Sequence, residues 1–282
     1  MSDRAAMPGA AFRIGSVISR GVSTYFRNIV SFLILSVIAF LPAIVVTVIF
    51  GAMVANVESV MREGEGPSAG LILGIVLWVL AFVLGWLWLS AGITYGVIAS
   101  LRQGKINLGE VMATSLKSVL PLLGLGVIIM LIMMGLGLLV LIPFLGIIVL
   151  FVLGLYLMVR WWVAIPAVVV ESIGPIAALG RASELTKGNR WSVLGVMVLW
   201  GLVAGLVGTV VITLLSLAAG VPLDAQAAPV DAGAGGVVIQ IVSGFVNLIL
   251  AGLGASVVAV GYHDLRIARE GGDTEQIARA FD

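Results

Sequence analysis

Between Leu136 and Val170 the chain is apolar except for one charged side chain, Arg160. An arginine in such a run has two readings. It reaches the headgroups or bonds backbone carbonyls, or it contacts an anion, a phosphate or a lipid headgroup in a cavity. Trp161 and Trp162 beside it suit a membrane interface. If 145–168 is one straight helix, Arg160 lies about 22 Å along it at about 1.5 Å per residue. Glu171 follows eleven residues later, on roughly the same face but about 16 Å further on. That is too far for a direct pair, although Pro166 permits a kink. Glu171 is expected to meet Arg181, Lys187 or Arg190 in a structural salt-bridge network. Asn247, deep in the last apolar run, is the costliest polar group to leave unpaired, and one interhelical hydrogen bond is its expected solution. Arg160, Glu171, Arg181 and Asn247 are therefore the candidate ligand or structural polar residues.

Catalysis finds little support. The single histidine, His263, stands beside Asp264 at the end of the last apolar run, without further carboxylates at ligand spacing. There is no cysteine, hence no thiolate nucleophile or thiolate metal site. Phosphate-binding, dinucleotide, zinc-protease and nucleophile-elbow motifs are missing from the sequence. It calls for no catalytic residue, no cofactor and no metal. A net charge of +1 argues against a nucleic-acid partner.

The elements that carry these residues follow from composition. The chain is 61% hydrophobic and 10% charged, with a mean hydropathy of +1.22. A soluble domain carries about 25% charged residues. Apolar runs of roughly 20 residues match a hydrocarbon core of about 30 Å, and without period-2 alternation they must be helices. The expected fold is an all-α polytopic bundle of about six transmembrane helices, near 29–54, 70–99, 119–141, 145–168, 192–218 and 238–262. Residues 1–28 then form an N-terminal segment with an interfacial amphipathic helix, 29–262 the six-span domain and 263–282 a C-terminal tail.

Basic residues set the orientation. Thirteen of the fifteen Lys and Arg fall on one side, Arg62 alone on the other, and Arg160 within the membrane. By the positive-inside rule both termini are cytoplasmic. Each outward-going span is preceded on that side by a stretch too polar to cross, at 12–28, 108–118 and 175–187, giving three expected interfacial helices. Ile14-Gly15, Leu108-Gly109 and Ile173-Gly174 mark similar positions in the three. They fit either three parallel repeats or the elbow that any re-entering chain needs. Pro175 suits a first helical turn, Gly188-Asn189 an end, and Glu184 with Lys187 an i,i+3 pair. Small-residue pairs Gly92/Gly96, Gly201/Gly205 and Ala204/Gly208 fit close helix contacts. In the tail, a short separate helix is expected to open at Asp273, with Gln276 completing a capping box.

The stretch Arg160-Trp161-Trp162, Ile165-Pro166-Ala167-Val168-Val169-Val170-Glu171, Gly174-Pro175 and Ala178-Leu179-Gly180-Arg181 through Leu185-Thr186-Lys187-Gly188-Asn189-Arg190-Trp191 resembles the bacterial membrane domain of glycerophosphoryl diester phosphodiesterase and the inner-membrane family of the YciC type. The resemblance covers roughly the C-terminal half. It implies a six-span domain of the bacterial cytoplasmic membrane and carries over no catalytic residue, since the phosphodiesterase barrel is a separate domain. Two roles follow as expectations. The chain is a non-enzymatic accessory or scaffold in envelope or lipid homeostasis, or it is a small transporter or lipid-handling protein with an Arg160-lined cavity. Its partners are membrane lipids, with another membrane protein or self-association as a further possibility.

Overall fold

The computed structural model describes residues 12–55, 68–104, 106–142, 145–218 and 233–280. The described residues are all-helical, and six helices are long and apolar enough to cross a membrane.

Helix α1 (Ile14–Arg27) buries Val17, Gly21, Thr24 and Tyr25 on one face and leaves Arg13, Arg20 and Arg27 exposed, the amphipathic pattern of a surface helix. Asn28 ends it: its amide nitrogen Nδ2 donates to Thr24 O (2.9 Å) and to Ser100 Oγ (3.2 Å). A side chain that bonds its own backbone competes with continuing the helix. Helix α2 (Ile29–Ala55) then begins and packs along α3 (Ala69–Gln103). Ser68 Oγ caps α3 by accepting from Leu71 N, and Gly104 closes it at φ 72°, a conformation that favours glycine. A Cβ at Gly92 or Gly96 would lie 2.4 Å from Leu35 or 2.8 Å from Phe32, so this pair marks the α2–α3 crossing, while Gly201 and Gly205 face open space.

Helix α4 (Leu108–Gly137) opens on Asn107, whose Oδ1 accepts from Gly109 N and Glu110 N, and ends in a 3-10 turn at Leu138–Leu141. The expected second interfacial helix at 108–118 is therefore not a separate element. It is the first third of α4, which runs through Pro121 without a break. Ser118 Oγ bonds Thr114 O at 3.4 Å, much as Asn28 bonds Thr24 O, yet the helix continues through it. A proline well inside a membrane helix is tolerated because neighbours re-satisfy the freed carbonyl.

Span four is not straight. Helix α5 (Leu145–Arg160) stops, Trp161–Val163 turn, and α6 (Ala164–Glu171) resumes. The cause is Pro166, which has no N–H to give the Trp162 carbonyl and crowds it with its ring. Ala164 N bonds Trp161 O instead, and regular bonding returns with Ala167 N to Val163 O. Five residues of α6, from Ala164 to Val169, are buried, and it packs against α3, α4, α9 and α7 (Pro175–Thr186). A helix apolar all round belongs in the interior, and α6 is the centre of the molecule. Ser172 takes the left-handed conformation (φ 52°) to turn the chain into α7.

Helix α8 (Arg190–Ala218) and helix α9 (Gly233–Ala280) complete the bundle. Helix α9 continues through Gly271-Gly272, so the expected separate helix at Asp273 is absent. Two glycines weaken a helix by about 1 kcal/mol each but do not force a turn, and Arg266 pairs with Glu270 one turn earlier at 2.6 Å. Helix α1 lies directly on α9. A Cβ on Gly21 would stand 2.8 Å from Val257 Cα, and Ser256 Oγ donates to Gly21 O at 2.8 Å.

Fully buried side chains, among them Tyr25, Phe32, Leu35, Val97, Val111, Leu185 and Leu265, gather at the end of the bundle that carries the basic residues. Toward the other end α2, α3, α4, α5 and α8 expose long apolar rows.

Candidate functional site

The break in span four leaves the Arg160 carbonyl without its helical donor. Thr186 Oγ1, fully buried on α7, lies 3.2 Å from it and 2.9 Å from Ala182 O, so its one proton is shared between them. Arg160 Nε donates to Ser183 Oγ. Arg160 therefore sits where α5 ends, clamped from both its backbone and its side chain by α7.

Beside that clamp is a pocket of about 290 Å³, lined by Tyr156, Arg160, Ser183, Glu184, Lys187 and Arg190. The guanidinium of Arg190 lies 5.1 Å from the Tyr156 ring centroid, a cation–π contact. Its Nη1 donates to Tyr156 Oη at 3.1 Å, and its Nε is shielded from solvent with no hydrogen-bond partner among the described residues. The i,i+3 pair of Glu184 with Lys187 is not formed.

Glu171 and Arg181 belong to a second, separate cluster. Arg181 Nε shares its hydrogen between Glu171 Oε1 (2.9 Å) and Oε2 (3.0 Å). Tyr262 Oη donates to Glu171 Oε1 at 2.7 Å. Arg181 also reaches Glu270, which holds Arg266. Burial opposes charge on Arg181, but the hydrogen bonds it donates to Glu171 and then Glu270 outweigh it and hold its pKa above the usual arginine value. The cluster ties α6, α7 and α9 together. Arg160 and Glu171 do not meet, because α7 supplies a different partner to each.

Asn247 lies elsewhere again. Its Nδ2 donates to Ser243 O, four residues back on its own helix, rather than to a neighbouring helix. It lines a groove of about 820 Å³ between α2, α3, α8 and α9, with Ser36, Phe40, Phe82, Trp86, Gly205 and Phe245 among its walls. His263 Nδ1 is 3.5 Å from Asp264 Oδ1, and Asp264 is held at 2.8 Å by Arg20. Among the described residues no group of three His, Cys, Asp or Glu is placed to hold a metal.

Ser183, Thr186, Tyr262 and Glu270 were not singled out by the sequence as site residues. Ser183 and Thr186 stand three apart on α7 and so face one way. Tyr262 and Glu270 are two turns apart on α9. Those spacings are readable, but their partners 23 to 91 residues away are not.

Together the six long helices, the broken fourth span and the buried α6 define a polytopic α-helical membrane domain. Residues 140–270 match the family model of the membrane domain of glycerophosphoryl diester phosphodiesterase, in agreement with the resemblance carried by 160–191. Neither a curated protein nor a solved structure matches the chain significantly. The span break, the basic pocket and the Glu171–Arg181 cluster all lie inside the matched stretch, and α1 to α4 lie outside it.

Proposed function

We propose that this protein is a non-catalytic accessory domain of envelope or lipid homeostasis that holds lipid chains in the groove between α2, α3, α8 and α9. In this reading it sits in the bacterial cytoplasmic membrane with both termini inside, following the thirteen-to-one division of its basic residues. The observation that carries the reading is how the groove's two polar side chains are used. Ser36 Oγ donates to Phe32 O at 2.7 Å and Asn247 Nδ2 to Ser243 O at 2.9 Å. The Ser36 hydrogen and one Asn247 amide hydrogen are used within their own helices, so beside the Asn247 carboxamide the walls offer a ligand mainly hydrocarbon and aromatic surface. Groove residues fall near the middle of α2, α3 and α8, at 36–44, 82–86 and 204–205, and in the first half of α9, at 244–251.

A transporter of polar solutes needs a polar mid-membrane cavity in which Arg160, Tyr156 or Asn247 converge. Here Arg160 and Tyr156 line one cavity and Asn247 another. The match to a membrane domain named for a glycerophosphoryl diester phosphodiesterase fits work beside phospholipid chemistry.

The test is retained lipid. Cβ positions on Gly205 and Gly244 open into free space, so Gly205→Leu and Gly244→Leu fill the groove without displacing backbone. Native mass spectrometry of the detergent-released protein should find phospholipid on the parent chain and less on the filled variants at equal protein level. Equal lipid on all three defeats the lipid reading. Uptake of a polar solute that Asn247→Leu abolishes would favour the transporter instead.

A further inference from the structure

We propose that the pocket formed by Arg160, Lys187 and Arg190 binds a phosphate group, presented by an anionic phospholipid headgroup or as a free phosphate. The site is distinct from the groove and does not depend on it: Arg190 and Ala204 are fourteen residues apart on α8, about 21 Å along the axis.

Charge is the first argument. Three cations line the pocket against one carboxylate, Glu184, and Glu184 makes no ion pair with any of them. The other nearby carboxylates are already committed, Glu171 to Arg181 and Tyr262, and Glu270 to Arg181 and Arg266. The protein therefore does not neutralise these cations itself.

Unspent donors are the second. Arg160 uses only Nε, on Ser183, and leaves both terminal nitrogens without a partner among the described residues. Arg190 gives Nη1 to Tyr156, while its Nε is shielded and unpartnered. The Lys187 ammonium has no partner among the described residues, although its carbonyl accepts from Arg269 at 3.0 Å. A shielded guanidinium N–H without an acceptor is uncommon in a finished interior. The guanidinium fork matches phosphate oxygens, and the lysine adds a point charge.

Preorganisation is the third. Ser183 fixes Arg160, and the Tyr156 ring and hydroxyl fix Arg190, so neither guanidinium must be ordered on binding. Helix α8 begins at Arg190, and its amide Val193 N bonds Asn189 O, just ahead of the helix, at 2.9 Å. The amides of 190–192 therefore direct the positive end of a 29-residue helix toward this end of the bundle.

The full chain in nanodiscs provides the test. One arm uses discs of phosphatidylcholine with phosphatidylglycerol and reads the lipids that stay bound by native mass spectrometry. The other uses phosphatidylcholine discs alone and measures binding of inorganic phosphate by equilibrium dialysis. The parent chain should enrich phosphatidylglycerol or bind phosphate, and the arm that responds identifies the source. Lys187→Gln with Arg190→Gln should lower that binding about tenfold, the scale of a lost charge-assisted contact. Arg13→Gln, which removes a charge from the exposed start of α1, should leave it unchanged. Circular dichroism verifies that each variant is helical, and Lys187→Gln alone, at an exposed position, serves if the double variant does not fold. No response in either arm overturns the proposal. So does equal loss in Arg13→Gln, which would reduce the effect to bulk surface charge.

Discussion

Arg181 Nε stands 2.9 Å and 3.0 Å from the two carboxylate oxygens of Glu171, bridging the end of the buried helix α6 to the middle of α7. The two side chains retain only 25% and 17% of their exposure, so water replaces this pair poorly if it is broken. Glu171→Gln and Arg181→Gln should each destabilise the protein by about 1.5–3 kcal/mol, the range for hydrogen bonds to charged groups. The double variant should lose less than the sum, because each single change strands the other partner. Thermal unfolding in one detergent, run as a double-mutant cycle, measures the coupling. Strict additivity would mean that the pair contributes nothing.

Tyr25 carries a buried hydroxyl with no partner among the described residues, and its ring stacks on Phe32 at 5.3 Å. Burial also raises its pKa, so the phenol stays protonated. Tyr25→Phe keeps the stack and removes the stranded O–H, and should stabilise by about 1 kcal/mol. A lower melting temperature for Tyr25→Phe would show that the hydroxyl has an acceptor, a water or a lipid.

Gly21 and Gly201 give opposite expectations for the same substitution. At Gly21 a methyl group meets the backbone of Val257, whereas at Gly201 it meets nothing within 4 Å. Gly21→Ala should cost about 1–3 kcal/mol by forcing α1 away from α9. Gly201→Ala should be neutral or slightly stabilising, since alanine suits a helix interior better. Equal effects at the two sites would contradict the α1–α9 contact.

Two substitutions at Arg160 separate its clamp to α7 from its charge. Arg160→Lys keeps a charge but cannot reproduce the Nε bond to Ser183 Oγ, and Arg160→Gln removes the charge as well. If the clamp to α7 is the main role, both variants and Ser183→Ala should lower protein abundance. If the charge matters more, Arg160→Lys should hold abundance and retain phosphatidylglycerol, while Arg160→Gln loses the lipid.

Orientation has a direct test because the chain has no cysteine. Ser19→Cys, exposed on α1, should react with a membrane-impermeant maleimide only after permeabilisation, and Ser59→Cys in intact cells. The reverse pattern inverts the topology.

The sequence makes the membrane class and the six long helices legible, because lipid leaves a spanning backbone few options. Local chemistry also carries α1, ended by Asn28, and α7, opened by Pro175. The break at 161–163 is harder to read. Pro166 permits it, but whether a membrane helix kinks or stops depends on what receives the freed carbonyls, here Thr186 on another element. The merging of 108–118 into α4 is similar: basic and polar residues suggest an elbow without forcing one. Neither the Glu171–Tyr262 bond nor the separation of Arg160 from Asn247 has a local signature. Both follow from how α9 folds back against the buried α6.

Helix α9 bears groove residues at 244–251, the contact with α1 at 256–257 and the carboxylate of Glu270 that Arg181 holds, all on one unbroken helix. From Asn247 to Glu270 is about 35 Å of continuous α-helix at about 1.5 Å per residue. A helix transmits twist along its axis far better than a jointed chain does. Any occupant of the groove that rolls α9 therefore turns Glu270 against Arg181, converting a change beside Asn247 into torque on the distant elbow.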